Sequence, residues 1–282
     1  MLTSGAARQL LQIRTHLLSF EAFMRTKLGK WRPILLLLLM SSQSQATVLY
    51  VRYTSSEIII ATDSKRTAET GQSVCVCKIS RIGDVFIASA GLAEYGSFDP
   101  KDFAREAIQS SSNLSEIRDR FDQLIQQPLI DVLKKVRARN PARYEVFKRG
   151  AAINMVFVRF VDVPELAASA LTPRDTKDGS IILDHHPIDL SGPVKRALRI
   201  AVGISKRADA FLDKPSFWAK GTVAGVQRVM ELSIEDNNEA GGPIDLVQLT
   251  QRSVRWFPRE PQCNERSRRI NEQSSTCNSS SQ

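Results

Sequence analysis

Thr47, Asp63 and Lys78 are residue types that together perform amide chemistry. A threonine at a chain's N-terminus unites nucleophile and base. Its hydroxyl attacks a carbonyl while the free α-amine, with a pKa near ~8, takes the proton at neutral pH. A lysine beside that amine helps hold it unprotonated by like-charge repulsion, and an aspartate orients the lysine. Neighbouring strands would have to bring the three together, and their types and spacing alone do not. A threonine opening a strand is usually just a strand residue, and an aspartate closing one usually caps a turn.

The scheme needs a chain cut immediately before Thr47, and the preceding residues read as an export signal that ends there. Arg25, Lys27, Lys30 and Arg32 form a positive region, Ile34–Met40 a short apolar run, and Ser41–Ala46 a polar region with small Ser44 and Ala46 at −3 and −1 of a cleavage site. Residues 1–46 are therefore read as a leader, with Met24 as the alternative start of translation, removed by a signal peptidase. The mature protein is expected in the periplasm or secreted, with no stable membrane insertion after cleavage, because Ile34–Met40 is far too short to span a bilayer.

Several strands and helices must position the three side chains. Extended segments are predicted at Thr47–Tyr53, Glu57–Thr62, Val74–Ile82 and Val85–Ala90, with Thr54-Ser55-Ser56 and Gly83-Asp84 as turns. Helical periodicity follows Pro100, with Phe103, Ala104, Ala107 and Ile108 on one stripe. A second helix follows Asn113, with Leu114, Ile117, Phe121, Leu124 and Ile125 on its face and a bend near Pro128; the charges from Lys134 to Arg149 are its solvated end. Strands return at Ala151–Phe160, Leu166–Leu171, Ser180–Leu183 and Leu198–Val202. Helices follow at Lys206–Leu212 and Ala219–Ile234, then strands at Ile244–Leu249 and Val254–Phe257. Four strands arriving without intervening helices disfavour a doubly wound parallel sheet. The order predicts one α+β layered domain over residues 47–257, followed by a polar tail at 258–282.

The chain has 282 residues and a formal net charge of +9. Six basic residues and one acidic lie within residues 1–46, so the folded body keeps only +4, an ordinary surface charge that points to no nucleic-acid partner. Composition excludes a disordered chain, a fibre and a repeat solenoid. Four cysteines fit an exported protein: Cys75 and Cys77 alternate on one predicted strand, where a mutual disulfide would be strained, and Cys263 and Cys277 could close a loop in the tail. No metal site or cofactor is expected, since no CxxC occurs and there are only three histidines; His185-His186 before Pro187 read as an exposed turn.

Thr47–Gly91 resembles the proteasome beta-subunit family of N-terminal-nucleophile (Ntn) hydrolases. The stretches that carry the likeness are Thr47-Val-Leu-Tyr-Val-Arg, Glu57-Ile-Ile-Ile-Ala-Thr-Asp-Ser-Lys-Arg-Thr67 and Lys78-Ile-Ser-Arg-Ile-Gly-Asp-Val-Phe-Ile-Ala-Ser-Ala-Gly91. A later match is Gly241-Gly242-Pro243-Ile244-Asp245-Leu246 followed by Val254-Arg255-Trp256. The resemblance implies a four-layer αββα sandwich of two packed, mostly antiparallel sheets flanked by helices. It also implies a threonine-type peptidase or amidohydrolase acting on a peptide or amide, in an exported variant. Thr47 matches the catalytic threonine, Asp63 and Lys78 its acid–lysine pair, and Gly91 the oxyanion-hole glycine. Thr67, Cys75, Val76, Ser89 and Ala93 match positions that line the substrate pocket. The family forms closed rings, so a homo-oligomer through Pro100–Arg139 is implied, although a monomer, a dimer or a bare ring all fit the sequence.

The chain also departs from the family pattern. An Asp and a Ser that assist the N-terminal amine are replaced by Asn237 and Ala240, with Asp236 one residue out of register. Val202-Gly203-Ile204-Ser205 keeps one Gly and one Ser of a supporting turn, and Ala46 stands where the family has Gly. These departures favour a catalytically inactive, proteasome-like structural or binding protein, while Thr47, Asp63 and Lys78 favour the enzyme. A small-molecule amidase would share the nucleophile and differ in the pocket.

Overall fold

A computed structural model describes residues 47–67, 73–92 and 94–257. One sheet holds β1 (Leu49–Tyr53), β2 (Glu57–Asp63), β10 (Leu198–Val202), β11 (Ile244–Thr250) and β12 (Ser253–Phe257) in the order β10-β1-β2-β11-β12. The other holds β5 (Ile79–Ile82), β6 (Val85–Gly91), β7 (Ile153–Phe160), β8 (Pro164–Asp175) and β9 (Ile181–Ser191) in that sequential order. Every pairing in both sheets is antiparallel. A short ribbon pairs β3 (Lys65–Thr67) with β4 (Ser73–Cys75).

Side-chain alternation along the strands sorts the core into three layers. Leu49, Val51, Ile58 and Ile60 of the first sheet pack against Ala88, Ala90, Val156, Val158 and Ala168 of the second, which makes the two sheets a sandwich. The opposite face of the second sheet, with Ile153, Met155, Phe157 and Leu171, meets Phe121, Ile125, Leu129 and Leu133. Those four residues belong to α2 (Leu114–Arg139), which lies among α1 (Pro100–Ser110), α2 and α3 (Pro141–Arg149). The outer face of the first sheet, with Tyr50, Ile59 and Ala61, meets α4 (Lys206–Leu212) and α5 (Thr222–Glu235) through Ala208, Val226, Val229 and Met230. An α+β sandwich of two antiparallel sheets, helices on both outer faces, is the architecture. No helix among the described residues is long and apolar enough to cross a membrane.

Local signals account for the helix starts. Asp99, Asn113, Asn140 and Ser205 each cap a helix by accepting from a backbone N–H in its first turn. Tertiary contacts revise four sequence expectations. α2 runs continuously through Pro128, with Ile125, Leu129 and Val132 all buried on its sheet. The charged stretch expected as its solvated end is broken at Asn140, which caps a separate helix, α3. His185 and His186 lie within β9, not in a turn, because β8 offers an unbroken register from Glu165↔Ser191 to Asp175↔Ile181. Pro187 is tolerated there because β9 is an edge strand. The single strand expected over Val74–Ile82 divides into β4 and β5.

Candidate active site

That last break is what builds the site. Val76 N–H donates to Ser64 O, turning the chain out of β4, and Lys78 enters the interior just before β5. β1 and β2 are antiparallel neighbours with Leu49 opposite Thr62, so Thr47 and Val48 at the start of one lie beside Asp63 at the end of the other. Asp63 N–H donates to Val48 O at 3.1 Å, and Val48 N–H returns a bond to Asp63 Oδ1 at 2.8 Å. Asp63 Oδ1 also accepts from Lys78 Nζ at 2.8 Å, while its Oδ2 accepts from Gly241 N–H at 3.1 Å. Lys78 Nζ lies 3.1 Å from Thr47 Oγ1. Thr47, Asp63 and Lys78 are 3%, 0% and 2% exposed, so bulk water does not screen this chain of contacts.

Burial dominates the electrostatics. It pushes the Asp63 carboxyl above the ordinary carboxylate range, against the pull of the Lys78 charge and the N–H groups of Val48 and Gly241. It pushes Lys78 below the ordinary lysine range, opposed by Asp63 and, more weakly, by Asp245. A lysine destabilised as a cation and within hydrogen-bond reach of a hydroxyl is suited to drawing a proton from it. Ser64 completes the surroundings: its hydroxyl lies 2.7 Å from Pro243 O and 3.0 Å from Asp245 Oδ2, both in the segment that leads into and along β11.

Two glycines allow the backbone to close around Thr47 and at the end of β6. Gly203, at φ +68°, follows β10, and a Cβ there would lie 2.3 Å from Thr47 O. Gly91 ends β6 at φ +101°, and a Cβ there would lie 2.3 Å from Ala152 O. A side chain at either position would meet both backbone strain and a main-chain oxygen.

The remaining sequence-assigned positions are spread more widely. Ser89 is buried and alternates with Val85 and Ile87, which puts it on the β6 face that meets α2. Thr67 pairs with Ser73, Cys75 pairs with Lys65 across the β3–β4 ribbon, and Val76 is half-buried just after it. Ser205 is committed to capping α4, its hydroxyl accepting from Ala208 N–H, while its own N–H donates to Ser233 Oγ. Asp236 closes α5 and pairs with Arg207 at 3.2 Å. Asn237 Oδ1 accepts from Glu239 N–H within the same turn. Cys77 is disulfide-bonded, and its carbonyl accepts from Lys101 Nζ. Ala93, Cys263, Cys277, the leader and the tail lie outside the described residues.

Three participants escaped sequence reasoning as site residues: the Gly241 N–H, the Ser64–Asp245 contact and the close approach of Gly203 to Thr47. The Gly-Gly-Pro-Ile-Asp run and the Gly of Val202-Gly203 were visible, but what they would touch was not. Compared with known families and curated proteins, the chain matches no family model and no curated sequence.

Proposed function

We propose that the protein is an exported threonine-type amide hydrolase with an N-terminal-nucleophile fold, in which Thr47, freed by removal of the leader, attacks a peptide or amide carbonyl. The observation that carries the reading is the buried relay from Thr47 Oγ1 to Lys78 Nζ to Asp63, in which each contact is within hydrogen-bond reach. In the first half-reaction the Thr47 oxygen bonds to the substrate carbonyl carbon, and its proton passes to the Thr47 α-amine with Lys78 at its side. The Gly91 N–H is the candidate donor to the oxyanion. Collapse breaks the C–N bond, the leaving amine takes the proton, and water then cleaves the ester to regenerate the threonine. The disulfide at Cys77 supports an oxidising compartment outside the cytosol.

The alternative of a non-catalytic structural or binding protein draws on a specific observation. Ser205 and Asp236, the nearest counterparts of the groups that would assist the amine, are engaged with Ala208 and Arg207. One experiment separates the readings. Intact mass and N-terminal sequencing of the exported chain, followed by incubation with a β-lactone that acylates reactive hydroxyls, should give a chain beginning at Thr47 that gains one acyl mass on that residue. Labelling should disappear in Thr47→Ala and Lys78→Ala. A chain that retains residues before Thr47, or a mature chain that takes up no acyl group, favours the structural reading.

A further inference from the structure

Asn154 on β7 is a buried polar side chain for which neither the relay nor the core has a use. It is 6% exposed, and its Nδ2 has no hydrogen-bond partner among the described residues. A buried amide donor left unpaired is destabilising, and such groups in native folds commonly mark a place where something else binds. Its position restricts what that could be. Asn154 alternates with Val156 and Val158, which face the other sheet, so its side chain projects between the two sheets. It stands in a cross-strand row, Ala90–Asn154–Ala170, whose flanking alanines leave the carboxamide as the only polar group of the three. This row is the one beyond Ala88, and Ala88 is opposite Ile79, the residue after Lys78. Asn154 is therefore at the end of its sheet where Lys78 enters, two residues from Ala152, whose carbonyl Gly91 abuts. The row continues to His186, which is exposed, so the line of residues runs from the interior to solvent at the β9 edge.

The first sheet has a similar feature. Thr62 alternates with Ile58 and Ile60 on the inner face, is fully buried, and its Oγ1 also lacks a hydrogen-bond partner among the described residues. It pairs with Leu49 on one side and Asp245 on the other, at the Thr47 end of that sheet. Two unpaired polar side chains thus lie on the facing inner surfaces at the end of the sandwich that holds Thr47 and Lys78.

Resting on the hydrolase reading above, we infer that Asn154 is a specificity-determining residue whose carboxamide N–H donates to a hydrogen-bond acceptor on the acyl part of the substrate. The favoured class is an acyl group carrying a neutral carbonyl acceptor, such as a side-chain amide. An apolar group of the same shape would leave the buried donor unpaired, and sites built to hydrogen-bond a substrate reject the analogue that cannot do so.

The test uses the mature chain and two β-lactones of equal size, one whose arm ends in a carboxamide and one whose arm ends in an isosteric branched alkyl group. In both, the Thr47 oxygen bonds to the lactone carbonyl, the ring C–O bond breaks, and the proton ends on the released hydroxyl. Acylation of Thr47 is followed by intact mass. Wild type should be labelled about fivefold faster by the carboxamide lactone, the ratio expected for one net hydrogen bond. Asn154→Asp, which keeps the shape and removes the donor, and Asn154→Leu should bring the ratio to about one or invert it. Equal rates in wild type, a comparison that needs no variant to fold, would overturn the assignment while leaving Thr47 as the nucleophile. An unchanged ratio in a folded Asn154→Asp or Asn154→Leu would do the same. No labelling by either lactone would overturn the hydrolase reading, and the Asn154 assignment with it.

Discussion

Removing the Asp63 carboxylate tests the organisation of the site without requiring any substrate. In Asp63→Ala, Lys78 Nζ loses its 2.8 Å partner, and the N–H groups of Val48 and Gly241 lose an acceptor at 2.8 and 3.1 Å. All three donors are buried, so water does not replace the carboxylate. Deleting one member of a buried ion pair costs about 3–5 kcal/mol. Counted separately, two hydrogen bonds to a charged acceptor are worth roughly 1.5–3 kcal/mol each, or about 3–6 together. The two routes agree on a loss of about 4 kcal/mol, a large share of the roughly 5–15 kcal/mol that holds a domain folded. Lys78→Met should cost less, about 2 kcal/mol. Asp63 then keeps both backbone donors, and a carboxyl already pushed up by burial can take a proton. Asp63→Asn combined with Lys78→Met should recover at least ~1 kcal/mol relative to Asp63→Ala, since an amide oxygen retains one N–H partner and no buried charge remains. Urea unfolding at neutral pH, followed by circular dichroism and extrapolated to water, measures all three. If Asp63→Ala lost less than ~1 kcal/mol, the claim that this carboxylate gathers Val48, Lys78 and Gly241 would be wrong. If Lys78→Met were as damaging as Asp63→Ala, the ion pair and not the backbone bonds would carry the organisation.

Gly203→Ala places a methyl group on Thr47 O at a left-handed φ, and should cost about 1–3 kcal/mol of stability while displacing Thr47. Thermal unfolding together with lactone labelling checks it, and a stable, fully labelled variant would refute the close approach. Tyr53 Oη lies 2.5 Å from Pro164 O and 2.8 Å from Gly192 O, tying β1 to the far sheet, so Tyr53→Phe should cost about 1–2 kcal/mol in urea unfolding. Asp122 on α2 has its carboxyl pushed up by burial, opposed by Ser169, His185 and Arg118. A folded-state pKa above the unfolded value gives stability that is fully present below the unfolded value, near ~4, and lost as pH rises through the folded one. Asp122→Asn escapes that loss, so its midpoint should gain on wild type as pH rises across this window. A difference between the two that does not change with pH would refute it.

Much of the local architecture was legible in the sequence because it depends on neighbours a few residues away. Alternation in Leu49–Tyr53 and Glu57–Asp63 marks strands with one face toward each core layer, and the apolar stripe of Phe121 and Ile125 marks a helix that must lie on a sheet. Asn113 was readable as a helix start because its side chain caps its own following turn. The types of Thr47, Asp63 and Lys78 also limited the chemistry worth considering before any contact was known. Other features depended on partners distant in sequence, for which no local pattern exists. The break between β4 and β5 follows from Val76 bonding to Ser64 and from Lys78 meeting Thr47 and Asp63. The length of β9 is set by the register that β8 presents, which draws His185, His186 and Pro187 into a strand. Ser205 and Asp236, which any sequence alignment would hold available to the site, are occupied by the ends of α4 and α5. Gly241 N–H reaches Asp63 across 178 residues of chain. Side-chain type and periodicity are properties of a segment, so the sequence by itself determined which segments become strands and helices and which groups are able to react. Hydrogen bonds and close approaches between distant segments exist only once the sheets have paired and packed, so the tertiary structure alone decided which of those groups meet.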